Sequence, residues 1–275
     1  MSYQSSPKPK VAILFSGLLR SIQYTLPNMQ ENLFKQLTAA GYDYDIYCHN
    51  YIFPPGQTYN NPRTQEYNIT LNPNIIQHMT KIARYYIEDD QIQTANKLNL
   101  PAYRSKGDPW PKSNFASLDN YLLAMYSRKK VTELLVSKQL QEPLTHTYDF
   151  VIFARSDVMY EKPLPITALF SLLTQTQSPE TLQQPNQAPE YCLIPNFQHF
   201  RGLNDRMLIC KPQLACKYGL AFDLLLELSN SHLLHSESIN KYLLTEEYKV
   251  TPILVPVFFS RVRSNGGIKR ELFKP

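Results

Sequence analysis

Hydrophobic positions are unevenly spaced along the chain, and their spacing predicts its elements. Lys10-Val11-Ala12-Ile13-Leu14-Phe15 is a near-continuous apolar run closed by Ser16-Gly17. That is the pattern of a strand buried on both faces and followed by a turn. Over residues 21–40, Leu26, Met29, Leu33, Phe34 and Leu37 recur at helical spacing. Residues 44–49, Tyr-Asp-Ile-Tyr-Cys-His, read as a second strand. Strand, helix and strand within about 40 residues form a βαβ unit. The expected fold class is therefore α/β: a mixed, mainly parallel, Rossmann-like sheet flanked by helices in a single domain.

The second half repeats the theme. Residues 118–136 carry the clearest helical face, with Leu118, Leu122, Met125, Leu134 and Leu135. The apolar run 148–154 passes directly into Arg155-Ser156-Asp157. Strands are expected at 191–194 and 207–210, helices at 213–228 and 236–247, and a β-rich run at 250–259. Residues 53–117 hold many Pro, Asn, Tyr and Gln, with short helical patches around 75–87. A long irregular segment of this kind is usually a covering loop or an insertion. Residues 175–189 read as a polar surface loop. The domain is expected over 10–275, after a disordered leader at 1–9.

Composition narrows the function classes. The chain has 275 residues, 43% hydrophobic and 19% charged, which suits a globular domain and not a disordered one. No stretch approaches the roughly 20 apolar residues of a membrane span. The net charge of +5 is mild and fits an anionic small molecule as well as a polyanion. Basic residues form no tract and no recognition motif, so no nucleic-acid partner is expected. Four cysteines, Cys48, Cys192, Cys210 and Cys216, have no zinc spacing. They read as free thiols in a reducing compartment, and the expected localisation is cytoplasmic. With only 8 glycines and no Gly-x-Gly-x-x-Gly, phosphate binding must use side chains, helix ends or a metal.

Four segments carry candidate chemistry. Asp157 follows the carboxyl end of a buried strand, where α/β sheets bind ligands, and a hard oxygen there suits Mg²⁺ or Mn²⁺. Its alternative is a turn cap. Ser16, Gly17 and Arg20 follow the first strand; small residues admit a ligand to the backbone and Arg20 offers a phosphate fork. Gly202-Leu203-Asn204-Asp205 reads as a turn, or as a loop presenting Asp205 as general base. Arg261 and Arg263 share one face of a strand and suit a diphosphate, or form a solvated edge. His49 is a candidate nucleotide or sugar contact. His235 is a candidate metal ligand or a cap neighbour.

Taken in order, these segments resemble the GT-A-fold nucleotide-sugar glycosyltransferases, and most closely a divergent group in large DNA viruses, chlorella viruses included. The likeness runs over about residues 10–267 (leaving out 53–117 and 175–189). It rests on residues 11–20 (VAILFSGLLR), 42–49 (YDYDIYCH), Met125-Tyr126-Ser127-Arg128-Lys129, 148–157 (YDFVIFARSD), 202–205 (GLND), His235-Ser236-Glu237 and 261–266 (RVRSNG). The resemblance implies sugar transfer from a nucleoside diphosphate donor to a hydroxyl of an oligosaccharide or glycoprotein glycan. A UDP-sugar is the expected donor, with xylose the expected sugar. The family's Asp-x-Asp metal motif maps onto Arg155-Ser156-Asp157, but Arg155 stands where the first Asp belongs. The implied donor-binding set is Ser16, Gly17, Arg20, His49, Arg128, Lys129, Arg155, Arg261 and Arg263. The implied metal set is Asp157 and His235, holding Mn²⁺ or Mg²⁺. Asp205 falls where inverting members carry their base. The alternative is a non-catalytic carbohydrate-binding or scaffold protein on a degenerate transferase fold.

Overall fold

A computed structural model of the chain describes residues 8–61, 65–71, 73–141, 147–175 and 190–269. The strands are β1 (Lys10–Gly17), β2 (Asp43–Ile52), β3 (Tyr59–Asn61), β4 (Glu66–Ile69), β5 (Tyr85–Asp90), β6 (Phe150–Ala154), β7 (Val158–Tyr160), β8 (Glu190–Pro195), β9 (Met207–Cys210), β10 (Val250–Val255), β11 (Phe259–Val262) and β12 (Ile268–Lys269). The helices are α1 (Ile22–Met29), α2 (Lys35–Ala39), α3 (Pro73–Thr80), α4 (Gln91–Lys97), α5 (Ala116–Gln141), α6 (Ile166–Gln175), α7 (Pro212–Gly219), α8 (Leu225–Leu228) and α9 (Ser236–Tyr242).

Among the described residues the central sheet has seven strands in the order β10-β8-β9-β6-β1-β2-β5. All neighbours pair in parallel except β9, which is antiparallel to both β6 and β8. This is the mixed, mainly parallel sheet expected from the apolar runs. Alternation along β1 shows why it reads as continuously apolar. Val11, Ile13 and Phe15 pack into one cluster with α1 and α6, while Ala12 and Leu14 pack into another with α5 and α7. Helices therefore cover both faces, and every side chain from Val11 to Phe15 is buried in an apolar cluster.

Several boundaries move. The helix expected over 21–40 is α1 and α2 joined by a π-helical turn at Gln30–Phe34. The turn lies just after Pro27, which has no N–H to donate to a regular ladder. The helix expected over 213–228 is α7, a 3₁₀ turn at Ala221–Leu224 and α8. The run 250–259 divides into β10 and β11, which belong to different sheets.

The largest difference lies within 53–117. Residues 85–87, expected near a helical patch, are strand β5, which extends the central sheet beside β2. Upstream, β3 and β4 form a separate antiparallel pair. As an edge strand β5 buries little, and its Glu88-Asp89-Asp90 end lacks the apolar run that marks β1. Asp90 also caps α4, accepting from the N–H groups of Ile92 and Gln93 at 2.9 Å each.

The four cysteines are free; Cys48, Cys192 and Cys210 are buried and Cys216 is half-buried. Among the described residues no helix is long and apolar enough to cross a membrane. Residues 1–7 of the expected leader and 176–189 of the expected polar loop lie outside the described residues.

Candidate active site

A cleft of about 1030 Å³ opens where parallel strands β1, β2 and β6 end. That edge is where open α/β sheets place ligands. Three local arrangements build it.

At the end of β1, Gly17 holds a φ of +103°, a conformation that strains any residue with a Cβ. Its N–H donates to Ser127 Oγ at 2.6 Å, and the Leu19 N–H donates to Asn50 Oδ1 at 3.0 Å. The same Ser127 hydroxyl lies 2.6 Å from His49 Nδ1, and His49 Nε2 lies 3.2 Å from Asp89. His49 is fully buried and does not line the cleft. It braces the turn from behind, where burial lowers its pKa.

At the end of β6 the chain presents Arg155, Ser156 and Asp157. Arg155 holds Asp157 as a fork, Nε to Oδ1 and Nη2 to Oδ2 at 2.7 Å each. Arg20 adds Nη2 to Oδ2 at 3.2 Å. Arg20 in turn donates to Tyr59 Oη and lies over the Tyr59 ring, 5.1 Å from its centroid. β11 runs antiparallel to β7 with Arg261 opposite Val158, and the Val262 N–H donates to Asp157 O at 2.8 Å. That pairing carries Arg261, and Arg263 two residues on, to the same wall. Buried Glu66 tethers the group, 3.8 Å from both Arg20 and Arg263.

The opposite wall depends on β9 being antiparallel. Its first residue, Met207, lies opposite Ala154, the last of β6. Asp205 and Arg206, just before β9, therefore emerge at the same end as Arg155 and Asp157. Gly202 sets the loop against α9: a Cβ there would meet Glu237 O at 1.9 Å. The Leu203 N–H donates to Glu237 O at 2.9 Å, and Asn240 Nδ2 donates to Asn204 O at 2.9 Å. This packing places Glu237 beside Asp205. Three residues of the preceding loop, Gln198, Phe200 and Arg201, also hold positive φ.

The two walls treat carboxylates oppositely. Burial alone would raise the Asp157 pKa, but Arg155, Arg20 and Arg261 outweigh it and hold the group well below the usual carboxylate range. Glu237 is pushed up to about 6, mainly by burial and next by the charge of Asp205. Ser236 Oγ donates to Glu237 at 2.5 Å, but Arg206 comes no closer than 3.7 Å. Among the described residues six cationic side chains line the cleft (Arg20, Arg155, Arg206, Arg261, Arg263 and Lys269) against three carboxylates. That surplus in a concave site favours an anion.

A divalent cation does not fit at Asp157. Both its oxygens already accept from guanidiniums, and a metal there would face Arg155 and Arg20 at close range. His235 stands at the opposite wall, its Nδ1 3.5 Å from Glu237 and its ring 5.1 Å from that of Trp110. Among the described residues no three His, Cys, Asp or Glu side chains gather as a metal site.

Of the residues singled out from sequence, the cleft gathers Ser16, Gly17, Arg20, Arg155, Asp157, Asp205, His235, Arg261 and Arg263. It does not gather Lys129, which pairs with Asp223 at 2.5 Å away from the cleft. Nor does Arg128 reach the main cleft; it lines a small cavity beside it. Adjacent helical positions point in different directions, and here Arg128 turns onto the Tyr218 ring while Lys129 reaches Asp223. Tyr59 and Glu66 are not among the sequence candidates, since they lie in the segment with no clear period, and Arg206 enters the sequence reading only as a neighbour that could hold Asp205.

No protein-family model matches the chain, and no curated protein matches it. Among solved structures, a crystal structure described as "a glycosyltransferase involved in the glycosylation of the major capsid of PBCV-1" aligns with 90% of this chain and 82% of that one. The sequence identity is 10% and the TM-score 0.34. A superposition that loose carries no weight for the site, which is read from its own geometry.

Proposed function

We propose that the chain is a glycosyltransferase, moving a sugar from a nucleoside diphosphate donor, a UDP-sugar, to a hydroxyl of a glycan acceptor with inversion at the anomeric carbon. What carries this reading is a single cleft with guanidiniums on one wall and Asp205 on the other. Inverting glycosyl transfer needs both halves. The leaving diphosphate gains negative charge as its bond to the sugar breaks, and preorganised cations stabilise that charge. Arg155, Arg20, Arg261 and Arg263 supply them without a metal-borne step, and Asp157 holds the first two in place. The attacking hydroxyl must lose its proton as its oxygen bonds to the anomeric carbon, and Asp205 takes that proton. Trp110 and the exposed ring of Phe200 line the cleft and offer faces for acceptor sugar rings.

The test is Asp205→Asn in a transfer assay, with UDP binding followed by calorimetry in EDTA. Transfer is expected to fall about 10²–10⁴-fold while UDP affinity stays within a few-fold. Near-normal turnover would remove Asp205 as the base. A second reading, a carbohydrate-binding protein without activity, is favoured by the engagement of Asp157 with arginines. Slow hydrolysis of the nucleotide sugar in the absence of acceptor would dismiss it.

A further inference from the structure

Arg206 lines the cleft next to Asp205, and the reaction described above leaves it unused. The residue is 7% exposed. Its Nη1 donates to the Gln198 amide oxygen at 2.6 Å. Among the described residues its ion pair is with Glu237, whose Oε1 stays 3.7 Å from Nη2. Arg155, by contrast, holds Asp157 through two bonds of 2.7 Å.

Strand register sets Arg206 against a second cation. The antiparallel β6–β9 ladder ends with Ala154 opposite Met207. Arg155 follows Ala154 and Arg206 precedes Met207, so the two leave the ladder from facing strand ends. Like charges placed opposite one another across strands are destabilising. Arg261 arrives from a third element, β11, where it stands opposite Val158, the residue after Asp157. Electrostatics agree with this placement. Burial is the chief cause lowering the Arg206 pKa; Asp205 opposes it, and Arg261 and then Arg155 lower it further. Charges disturb one another in this way only at close range, and all three side chains line the same cleft.

An anion between the guanidiniums removes their repulsion, and the arrangement of donors selects its shape. A carboxylate has two oxygens in one plane and is matched by a single guanidinium fork. A phosphate holds its oxygens in several directions and takes donors from several sides. Guanidiniums arriving from the ends of three different strands fit the phosphate. Position says which phosphate. Arg206 adjoins Asp205 in the chain, so it meets the phosphate next to the reacting carbon and not the one next to the nucleoside.

We infer that Arg206 is a catalytic residue that clamps, together with Arg155 and Arg261, the phosphate joined to the donor sugar. The acceptor oxygen bonds to the anomeric carbon as Asp205 takes its proton. The bond from that carbon to the phosphate oxygen breaks, and its electron pair stays on the oxygen. The phosphate leaves as the terminal phosphate of UDP with one more negative charge, which Arg206 meets from the wall that carries the base. The inference rests on the donor reading proposed above.

Calorimetry on the full chain in EDTA tests it with UDP and UMP, which differ by that phosphate. The wild-type chain is expected to bind UDP at least about tenfold more tightly than UMP. Arg206→Gln is expected to weaken UDP binding about ten- to a hundredfold, the worth of a hydrogen bond between charged groups, and UMP binding less than about threefold. Arg206→Lys keeps the charge without the fork, and its loss is expected to fall between. An equal loss for both nucleotides, or no loss for UDP, overturns the inference and leaves Arg206 a structural partner of Gln198 and Glu237. Equal binding of UDP and UMP by the wild-type chain overturns it too, whether or not the variants fold. If neither nucleotide binds the wild-type chain, the donor reading falls; if both bind and the variants do not separate them, only the clamp falls.

Discussion

The two walls of the cleft bury carboxylates in contrasting ways. Asp157 sits among guanidiniums that hold both its oxygens and lower its pKa. Glu237 sits at similar depth with a hydroxyl, a neighbouring Asp205, the His235 ring at 3.5 Å and one guanidinium at 3.7 Å, and its pKa is about 6. Burial disfavours charge in both, so depth does not decide the outcome. Direct ion pairing decides it. The first wall is thereby committed to holding arginines in place for an anion. The second keeps Glu237 able to exchange a proton near neutral pH.

The strongest test of this contrast removes Asp157. Asp157→Asn leaves Arg155 and Arg20 without their buried partner, and breaking a buried pair costs about 3–5 kcal/mol. With the Arg155 side chain 38% exposed, the low end, about 3 kcal/mol, is expected from urea unfolding at pH 7. The pH dependence has a definite sign. A depressed carboxylate stabilises the fold above its unfolded pKa of about 4, and that stabilisation is lost as pH falls. The gap between variant and wild type should therefore narrow only below about pH 4. A loss under about 1 kcal/mol at pH 7 would mean the arginines do not depend on Asp157.

Glu237 should behave in the opposite sense. Its folded pKa of about 6 lies above the unfolded value of 4.5, so its contribution is present below pH 4.5 and lost as pH rises through 6. Glu237→Gln removes the titrating group. Relative to wild type, the variant is expected to gain about 2 kcal/mol of stability between pH 4.5 and 7.5, from unfolding curves at both values. A difference that does not change with pH would place Glu237 with Asp157.

Lys129 supplies the smallest expected effect and the control. Its pairs with Asp223 and Glu133 lie on a partly exposed helix surface. Lys129→Ala is expected to change stability by less than about 1 kcal/mol and to leave the UDP dissociation constant unaltered. A tenfold weakening of UDP binding would return Lys129 to the site.

Legibility followed burial and register. β1 and β6 were readable because both their faces are covered, which demands the unbroken runs 11–15 and 150–154. Asp157, Ser16 and Gly17 were readable because they follow those runs directly. β5 was not, since an edge strand with one neighbour needs no such run. Tyr59 and Glu66 come from a short hairpin with no period of its own, and they matter only because that hairpin folds over Arg20 and Arg263.

The amino-acid sequence alone determined the class of the fold, the ends of its inner strands and the charged residues that follow them, because local patterning and burial act over a few residues. The tertiary structure decided which of those charges meet. Asp205 faces Arg155 because β9 runs antiparallel beside β6, and Asp157 meets Arg20 across a separation of 137 residues. A metal fits less well at Asp157 than two guanidiniums do, and a buried arginine on α5 closes a pocket instead of reaching the main cleft. Those outcomes are set by strand direction and helix rotation, long-range quantities on which the spacing of hydrophobic residues is silent.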